Sequence, residues 1–321
     1  MRNVEKGRDE MNVIASYLQK YPLVVLDGAF GTELARRGFD TNDELWSAKA
    51  LFEQPGLVKA VHYDYYAAGA DISTSASYQA TVEGFEKKGF SREQAKGLIV
   101  RSVQLVQQAR DEFWQAQAPA GRPRPLAAAS VGPYGAYLAD GSEYRGDYRA
   151  SRAELADFHA ERLDLLTGAA PDILAIETIP LLEEALAVLD DLKRHPEAGA
   201  WVSFSCADEM HTCGGDDVAD CARLLDKNPQ VAAIGVNCTA PQYVAGLVER
   251  IHAHTEKPVV VYPNTGETYD AVTKTWHGSE VPYHGYVRQW YQAGARLIGG
   301  CCRTTPDDIR GIAELRQQLL K

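Results

Sequence analysis

The stretch Arg296-Leu297-Ile298-Gly299-Gly300-Cys301-Cys302-Arg303-Thr304 sets two adjacent thiols directly behind a short apolar run. Neighbouring side chains on a regular strand point to opposite faces, so both sulfurs reach one ligand only if the strand ends there and the chain turns. Gly299 and Gly300 are expected to permit that turn. Thr304-Thr305-Pro306-Asp307 then reads as a helix start with proline at an early position. Adjacent cysteines are badly placed to bond each other. A third thiol has the same setting, since Ala233-Ile234-Gly235-Val236-Asn237-Cys238 is an apolar run ending in a polar residue and a thiol, and Thr239-Ala240-Pro241 opens the next helix. Three thiolates at two strand ends suit a zinc ion whose fourth position is left for a substrate. Taken alone, Cys238 reads equally as a small buried hydrophobe, as free cysteines usually are. The pair at a strand end, where barrel enzymes gather their chemistry, is what weighs for a metal.

A substrate thiol binding as fourth ligand would lose its proton, because coordination deprotonates a thiol that otherwise titrates at about 8.5. Such an electron-rich site suits alkyl transfer to sulfur better than hydrolysis. A thiol with an amino-acid tail also needs carboxylates for its ammonium and backbone donors for its carboxylate. Asp27 and Glu177 end the first and fourth apolar runs, and Gly28 and Ala29 offer N–H groups. The plainer reading gives Asp27 to the following turn and Glu177 to a structural hydrogen bond. Two long connections, 131–149 and 263–285, would overhang the same mouth, and long loops in compact domains are usually functional. They carry Tyr134, Tyr137, Glu143 and Tyr144, and then Trp276. Aromatic faces attract soft cations, so these side chains are candidates to wall the methylsulfonium donor that the family resemblance given below implies. Cys206, His211 and Cys213 lack the spacing of a closed metal site. Cys221, His62 and His159 fall within helical stretches and read as core or surface residues. No serine nucleophile elbow is present.

The elements that must hold these residues alternate along the chain. Apolar runs at Leu23–Leu26, Ile72–Ser75, Leu126–Ser130, Ile173–Ile176, Trp201–Ser205, Ala233–Val236, Val259–Tyr262 and Leu297–Ile298 are each followed by a helical stretch. Continuous runs are the pattern of parallel strands covered on both faces. Helix-to-strand turns at Gly69, Gly168 and Gly294 echo one another, as left-handed helix caps would. The reading is α/β, a single-domain (β/α)8 TIM barrel over 21–321, with 1–20 as an N-terminal extension and leading helix. An open doubly wound sheet is the competing architecture, but no Gly-x-Gly-x-x-Gly follows the first run. The chain has 321 residues, a net charge of −11 and a pI near 5.3, which argues against nucleic acid or an anionic membrane as partner. No run reaches transmembrane length. The charged amino terminus lacks an apolar signal region, and Met11 offers an alternative start. A cytoplasmic location is expected, with the six cysteines reduced and serving as metal, catalytic or core residues rather than a disulfide framework.

Over residues 21–320 the chain resembles the homocysteine S-methyltransferase family, and within it the bacterial branch that uses S-methylmethionine. The resemblance rests on Leu26-Asp27-Gly28-Ala29, Thr74-Ser75-Ala76-Ser77-Tyr78-Gln79-Ala80, Ser130-Val131-Gly132-Pro133-Tyr134-Gly135, Glu177-Thr178, Gly235-Val236-Asn237-Cys238, Tyr262-Pro263-Asn264 and Gly299-Gly300-Cys301-Cys302-Arg303-Thr304. It implies Zn2+ on Cys238, Cys301 and Cys302, homocysteine bound to it through sulfur, and Asp27 and Glu177 near the ammonium. Ser75 matches a polar position on the substrate side, and Gly28, Asn237 and Tyr134 are further expected substrate contacts. The implied product is methionine, with S-methylmethionine as donor and S-adenosylmethionine as a poorer one. Betaine-using relatives carry a longer carboxyl-terminal arm, and cobalamin-dependent ones carry further domains. In betaine-using relatives a tyrosine follows the strand-four glutamate, where this chain has Thr178. A selenocysteine- or betaine-using enzyme, or a barrel with a closed structural zinc, are the alternatives.

Overall fold

The computed structural model describes residues 13–270, 275–278, 281 and 283–320. The choice between Met1 and Met11 as start lies outside them. Seven strands come first: β1 (Val24–Val25), β2 (Ile72–Thr74), β3 (Leu126–Val131), β4 (Ile173–Ile179), β5 (Ala200–Phe204), β6 (Val231–Asn237) and β7 (Val259–Tyr262). A small antiparallel hairpin, β8 (Thr268–Asp270) and β9 (Thr275–His277), precedes the last strand, β10 (Ala295–Ile298). The large sheet is parallel, in the order β1-β10-β7-β6-β5-β4-β3-β2. Its two edges meet: Leu26 bridges Ile72, and the Asp27 N–H donates to the Ile72 carbonyl at 3.0 Å. The result is the expected (β/α)8 barrel.

Side-chain alternation explains why the strands read as unbroken apolar runs. Val24, Ile173, Ala175 and Leu297 point into one cluster with Leu26, Ile72, Trp201 and Val260, inside the barrel. Their neighbours Val25, Leu174, Ile176 and Ile298 belong to the larger cluster under the helices. Both faces are dry, so no polar stripe appears in the sequence. A short leading helix, Val13–Leu18, adds Ile14 and Tyr17 to the inner cluster and plugs the end opposite the site.

The long helices fall where the sequence puts them. Capping boxes start three of them: Ser91 with Gln94, Ser151 with Glu154, and Thr305 with Asp308. The glycine echo needs one amendment. Gly69 and Gly294 are left-handed, at φ 117° and 125°, but near Gly168 the left-handed residue is Ala170, at φ 52°. The turn expected after Asp27 is brief, because Phe30–Arg36 is a helix. Sequence reading also passed over Val82–Lys87, Tyr134–Leu138 and the β8–β9 hairpin, which are too short to show a period. Among the described residues, no helix is long and apolar enough to cross a membrane.

Gly235 of β6 faces the backbone of β7 so closely that an added Cβ would fall 1.7 Å from the Val260 carbonyl oxygen. Gly235→Ala should therefore force β6 from β7 and cost about 3 kcal/mol or more of stability, measured by urea denaturation. An unchanged midpoint would mean that the two strands separate at little cost.

Candidate active site

Register carries the three thiols and one carboxylate to a common rim. Val25 pairs with Ile298, Ile298 with Val261, and Val261 with Val236, so four neighbouring strands end level. Asp27, Cys301 and Cys238 follow these strand ends by one to three residues. Backbone bonds prolong the register: Cys238 N–H to Tyr262 O at 3.2 Å, Cys301 N–H to Pro263 O at 2.8 Å, and Gly300 N–H to Asp27 O at 2.9 Å. The ligand atoms of Cys238, Cys301 and Cys302 lie within 4.8 Å of one another, the one such group of three among the described residues.

The turn that aims both adjacent cysteines is not made as expected. Neither Gly299 nor Gly300 has a positive φ; the left-handed residue is Arg303, at φ 74°. Gly300 instead gives room, since a Cβ there would lie 2.3 Å from Thr304 Oγ1. That hydroxyl donates to the Cys301 carbonyl at 2.7 Å and accepts the Ala29 N–H at 3.1 Å, tying the thiol loop to the loop after β1. Cys238 and Thr178 are also left-handed, at φ 47° and 60°. Non-glycine residues rarely hold this conformation, and three at one rim mark stored backbone strain of the kind found at functional sites.

Cys238 and Cys301 are joined by a disulfide in this structure, with Cα atoms 5.5 Å apart. The remaining four cysteines are free. Burial pushes the Cys302 thiol up to about 12, against the pull of its own backbone N–H and of the Tyr144 hydroxyl. Three soft sulfurs converging without a fourth His, Cys, Asp or Glu among the described residues fit a metal that prefers thiolates and keeps one position open. The disulfide must be reduced before such an ion can be held.

Asp27 is buried. Its Oδ2 accepts from Ser73 Oγ and from the Thr74 N–H, each at 2.7 Å. Burial raises its pKa to about 7, the Ser73 and Thr74 bonds pull it down, and the charge of Glu177 pushes it up. Glu177 sits where β4 slips register against β5, between Ile176 and Ile179. Its Oε1 accepts from Ser130 Oγ, and burial raises its pKa to about 7 against hydrogen bonds with Ser130 and Tyr262. Both carboxyls line one cavity of about 100 Å3 with the three cysteines. A shallower groove of about 450 Å3, between the helices Tyr283–Ala293 and Pro306–Leu319, contains no thiol and lies apart from this chemistry.

The other expected residues divide. Gly28 and Ser75 line the cavity; Ser75 Oγ also bonds Ser77 Oγ at 2.7 Å and accepts the Ser130 N–H at 3.2 Å. Asn237 lines it too, but its amide is engaged: Oδ1 accepts from Thr178 N–H at 2.7 Å and Ser203 Oγ at 2.8 Å, and Nδ2 donates to Thr178 Oγ1 at 2.7 Å. Its geometry is that of a brace for the strained residue after Glu177. Tyr134 and Tyr137 do not line the cavity. Their rings pack on Phe158, with centroids 4.9 and 5.4 Å away. Tyr144 of the same loop does line it, while the side chain of Trp276 lies outside the described residues. The aromatic walls that sequence reading did not single out are Phe30, Trp46, Tyr78 and Tyr262. Trp46 stands in a short 3-10 helix, Trp46–Lys49, with no periodic signal to flag it.

His159 was read as an ordinary packing residue and is a buried strut. Its Nδ1 lies 3.0 Å from Arg162 Nη2 and its Nε2 lies 2.8 Å from Glu184 Oε1, while Glu184 accepts the Tyr134 N–H at 2.6 Å. Arg162 also donates to the Gly132 carbonyl. The loop that delivers Tyr144 is thereby pinned from beneath. Cys206 and Cys213 do not meet the metal group: they belong to a bridged excursion after β5, in which Cys206 pairs with Thr212.

Known proteins can be set beside this geometry. The sequence profile of the homocysteine S-methyltransferase family matches residues 24–316. "Homocysteine S-methyltransferase YbgG" of Bacillus subtilis is 52% identical over 312 residues, covering 96% of this chain and 99% of that one. The metallated form of the Escherichia coli homocysteine methyltransferase MmuM superposes with a TM-score of 0.85 at 44% identity, over 94% of this chain and 98% of the other. The oxidized form of the same enzyme gives 0.84 at 45% identity, over 93% and 97%.

Both buried carboxyls hold their protons more tightly in the folded chain than in the unfolded one, where they titrate near about 4. Their contribution to stability is therefore full below about pH 4 and is lost as pH rises through about 7. In reduced, ligand-free protein, Asp27→Asn should lose less stability than the wild type between about pH 5 and pH 8, compared by denaturant midpoints. An identical pH slope would mean that Asp27 titrates normally.

Proposed function

The chain belongs to the homocysteine S-methyltransferase family, and on that premise we propose that it moves a methyl group from a methylsulfonium donor to the thiol of homocysteine, forming methionine, with zinc on Cys238, Cys301 and Cys302. S-methylmethionine is the foremost donor and S-adenosylmethionine a poorer one. The observation that carries this reading is one cavity holding three convergent sulfurs and two buried carboxyls. A closed structural zinc would require a fourth protein ligand beside the sulfurs, and none joins them among the described residues.

A zinc ion on three thiolates supplies the means to ionise the homocysteine thiol at neutral pH and keep it nucleophilic. Asp27 and Glu177 receive the ammonium. A cation between them favours their charged forms and lowers the raised pKa of each. Ser73, Thr74 and Ser130 hold the carboxylates in place, and Asn237 holds Thr178 behind Glu177. The donor's methyl carbon bonds to the homocysteine sulfur as its bond to the sulfonium sulfur breaks. The departing thioether is neutral, so no general acid is needed. Among the described residues, those lining the cavity include no Lys, Arg or His, so a positive donor meets carboxylates and the rings of Trp46, Tyr78 and Tyr144. Each good aromatic contact contributes about 0.5–2 kcal/mol. A betaine- or selenocysteine-directed relative would show itself in the same assay of methionine formation, run against several donors and acceptors.

Reduced protein supplied with zinc should hold about one ion per chain, and Cys302→Ala should lose both the ion and the activity. Full activity in metal-free Cys302→Ala protein would overturn the mechanism. Glu177→Gln should keep the zinc while weakening homocysteine binding by about 1.5–3 kcal/mol, or roughly 10- to 100-fold, read by calorimetry. Unchanged affinity in both Glu177→Gln and Asp27→Asn would return these residues to a structural role.

A further inference from the structure

His62 lies on the helix Pro55–Ala68, is fully buried, and stacks on Phe30 with ring centroids 4.8 Å apart. Its Nδ1 is 3.0 Å from Ser73 Oγ, which is 2.7 Å from Asp27 Oδ2. Its Nε2 is buried without a hydrogen-bond partner among the described residues. The chain of three fixes the hydrogens. Asp27 Oδ2 accepts two donors, Ser73 Oγ and the Thr74 N–H, so a proton on this carboxyl resides on Oδ1. With Asp27 ionised, the form that receives an ammonium, the single Ser73 hydrogen is directed at Asp27. The Ser73 oxygen must then accept from the ring, which makes His62 the Nδ1–H tautomer. Burial holds its pKa down at about 3, so the ring is neutral. An unpartnered Nε2 in a dry place is costly, and a phenylalanine would fill the same space without that cost. Packing alone does not account for a histidine here.

We infer that His62 is a positioning residue for substrate binding: through Ser73 it orients Asp27 so that Oδ1 is presented to the cavity. Among the described residues Oδ1 meets only a long 3.5 Å approach from Thr74 Oγ1 and is the atom open to a ligand ammonium. The inference rests on the reading that Asp27 receives the ammonium of homocysteine. The other groups acting on Asp27 are Glu177 from β4 and the neutral hydroxyls of Tyr65 and Tyr66 from the His62 helix.

The test uses reduced, zinc-loaded protein and steady-state kinetics. His62→Phe should raise the KM for homocysteine about five- to tenfold, the effect of one lost hydrogen bond, with kcat and the donor KM changed less than about twofold. His62→Asn, whose amide N–H stands in for the ring Nδ1–H, should recover most of the loss. In an Asp27→Asn background, His62→Phe should have no further effect, because the two residues act as one unit. In the wild type, nitrogen NMR of labelled imidazole should report the Nδ1–H tautomer. An Nε2–H tautomer, additive effects in the double variant, or a normal homocysteine KM in folded His62→Phe protein would each overturn the inference. If Asp27→Asn itself leaves homocysteine binding unchanged, the parent reading fails, and it does so independently of any result at His62.

Discussion

Closure of the barrel in parallel register is the constraint from which the site follows. A parallel ladder fixes where each strand stops relative to its neighbours. Here β1, β10, β7 and β6 end level, so residues separated by more than 200 positions in the chain become neighbours on one rim. The backbone bonds of Gly300 to Asp27, Cys301 to Pro263 and Cys238 to Tyr262 carry that register past the last strand pairs. A one-residue slip would turn every side chain on the slipped strand to the other face. Trp201, Leu297 and Val260 inside the barrel, with Ile298 and Val261 outside, hold the register against that slip.

What the barrel positions is unfavourable by itself. Two carboxyls are buried and pushed up to about 7, Asp27 in part by the charge of Glu177, a buried thiol is pushed to about 12, and four non-glycine residues at or beside the cavity, Trp46, Thr178, Cys238 and Arg303, have positive φ. None of these helps folding. Each is met by a local counterweight: Ser73 and Thr74 on Asp27, Ser130 on Glu177, and Asn237 on both polar ends of Thr178. Such a cluster suits cations, an ammonium between the carboxylates and a metal among the sulfurs, because each would favour the charged forms that burial opposes.

Loops complete the enclosure, and they are held by groups far from the chemistry. The connection after β3 is anchored by the buried His159–Glu184 pair and by Arg162, and Ser205 Oγ bonds the Glu143 carbonyl at 2.8 Å. That anchorage selects Tyr144 as the loop's cavity residue and turns Tyr134 and Tyr137 towards Phe158.

The sequence by itself determined the fold and put forward the candidate site groups. Eight continuous apolar runs alternating with helices leave few architectures, and Cys238, Cys301, Cys302, Asp27 and Glu177 declare themselves because each follows such a run. These features are local in the chain, so they are legible there. Tertiary structure decided the rest. Trp46 and Phe30 enter the cavity from short elements without a period. Gly300 makes room for Thr304 rather than bending the chain, and left-handed backbone at the rim falls instead on Arg303, Cys238 and Thr178. Asn237 looks from its motif like a substrate contact, yet its amide meets Thr178 across 59 positions of chain. His62 and His159 look alike on their helices, but one reaches Ser73 and the other Glu184. Which partner a buried polar atom finds depends on the packing of distant segments, and no local pattern of residues encodes it.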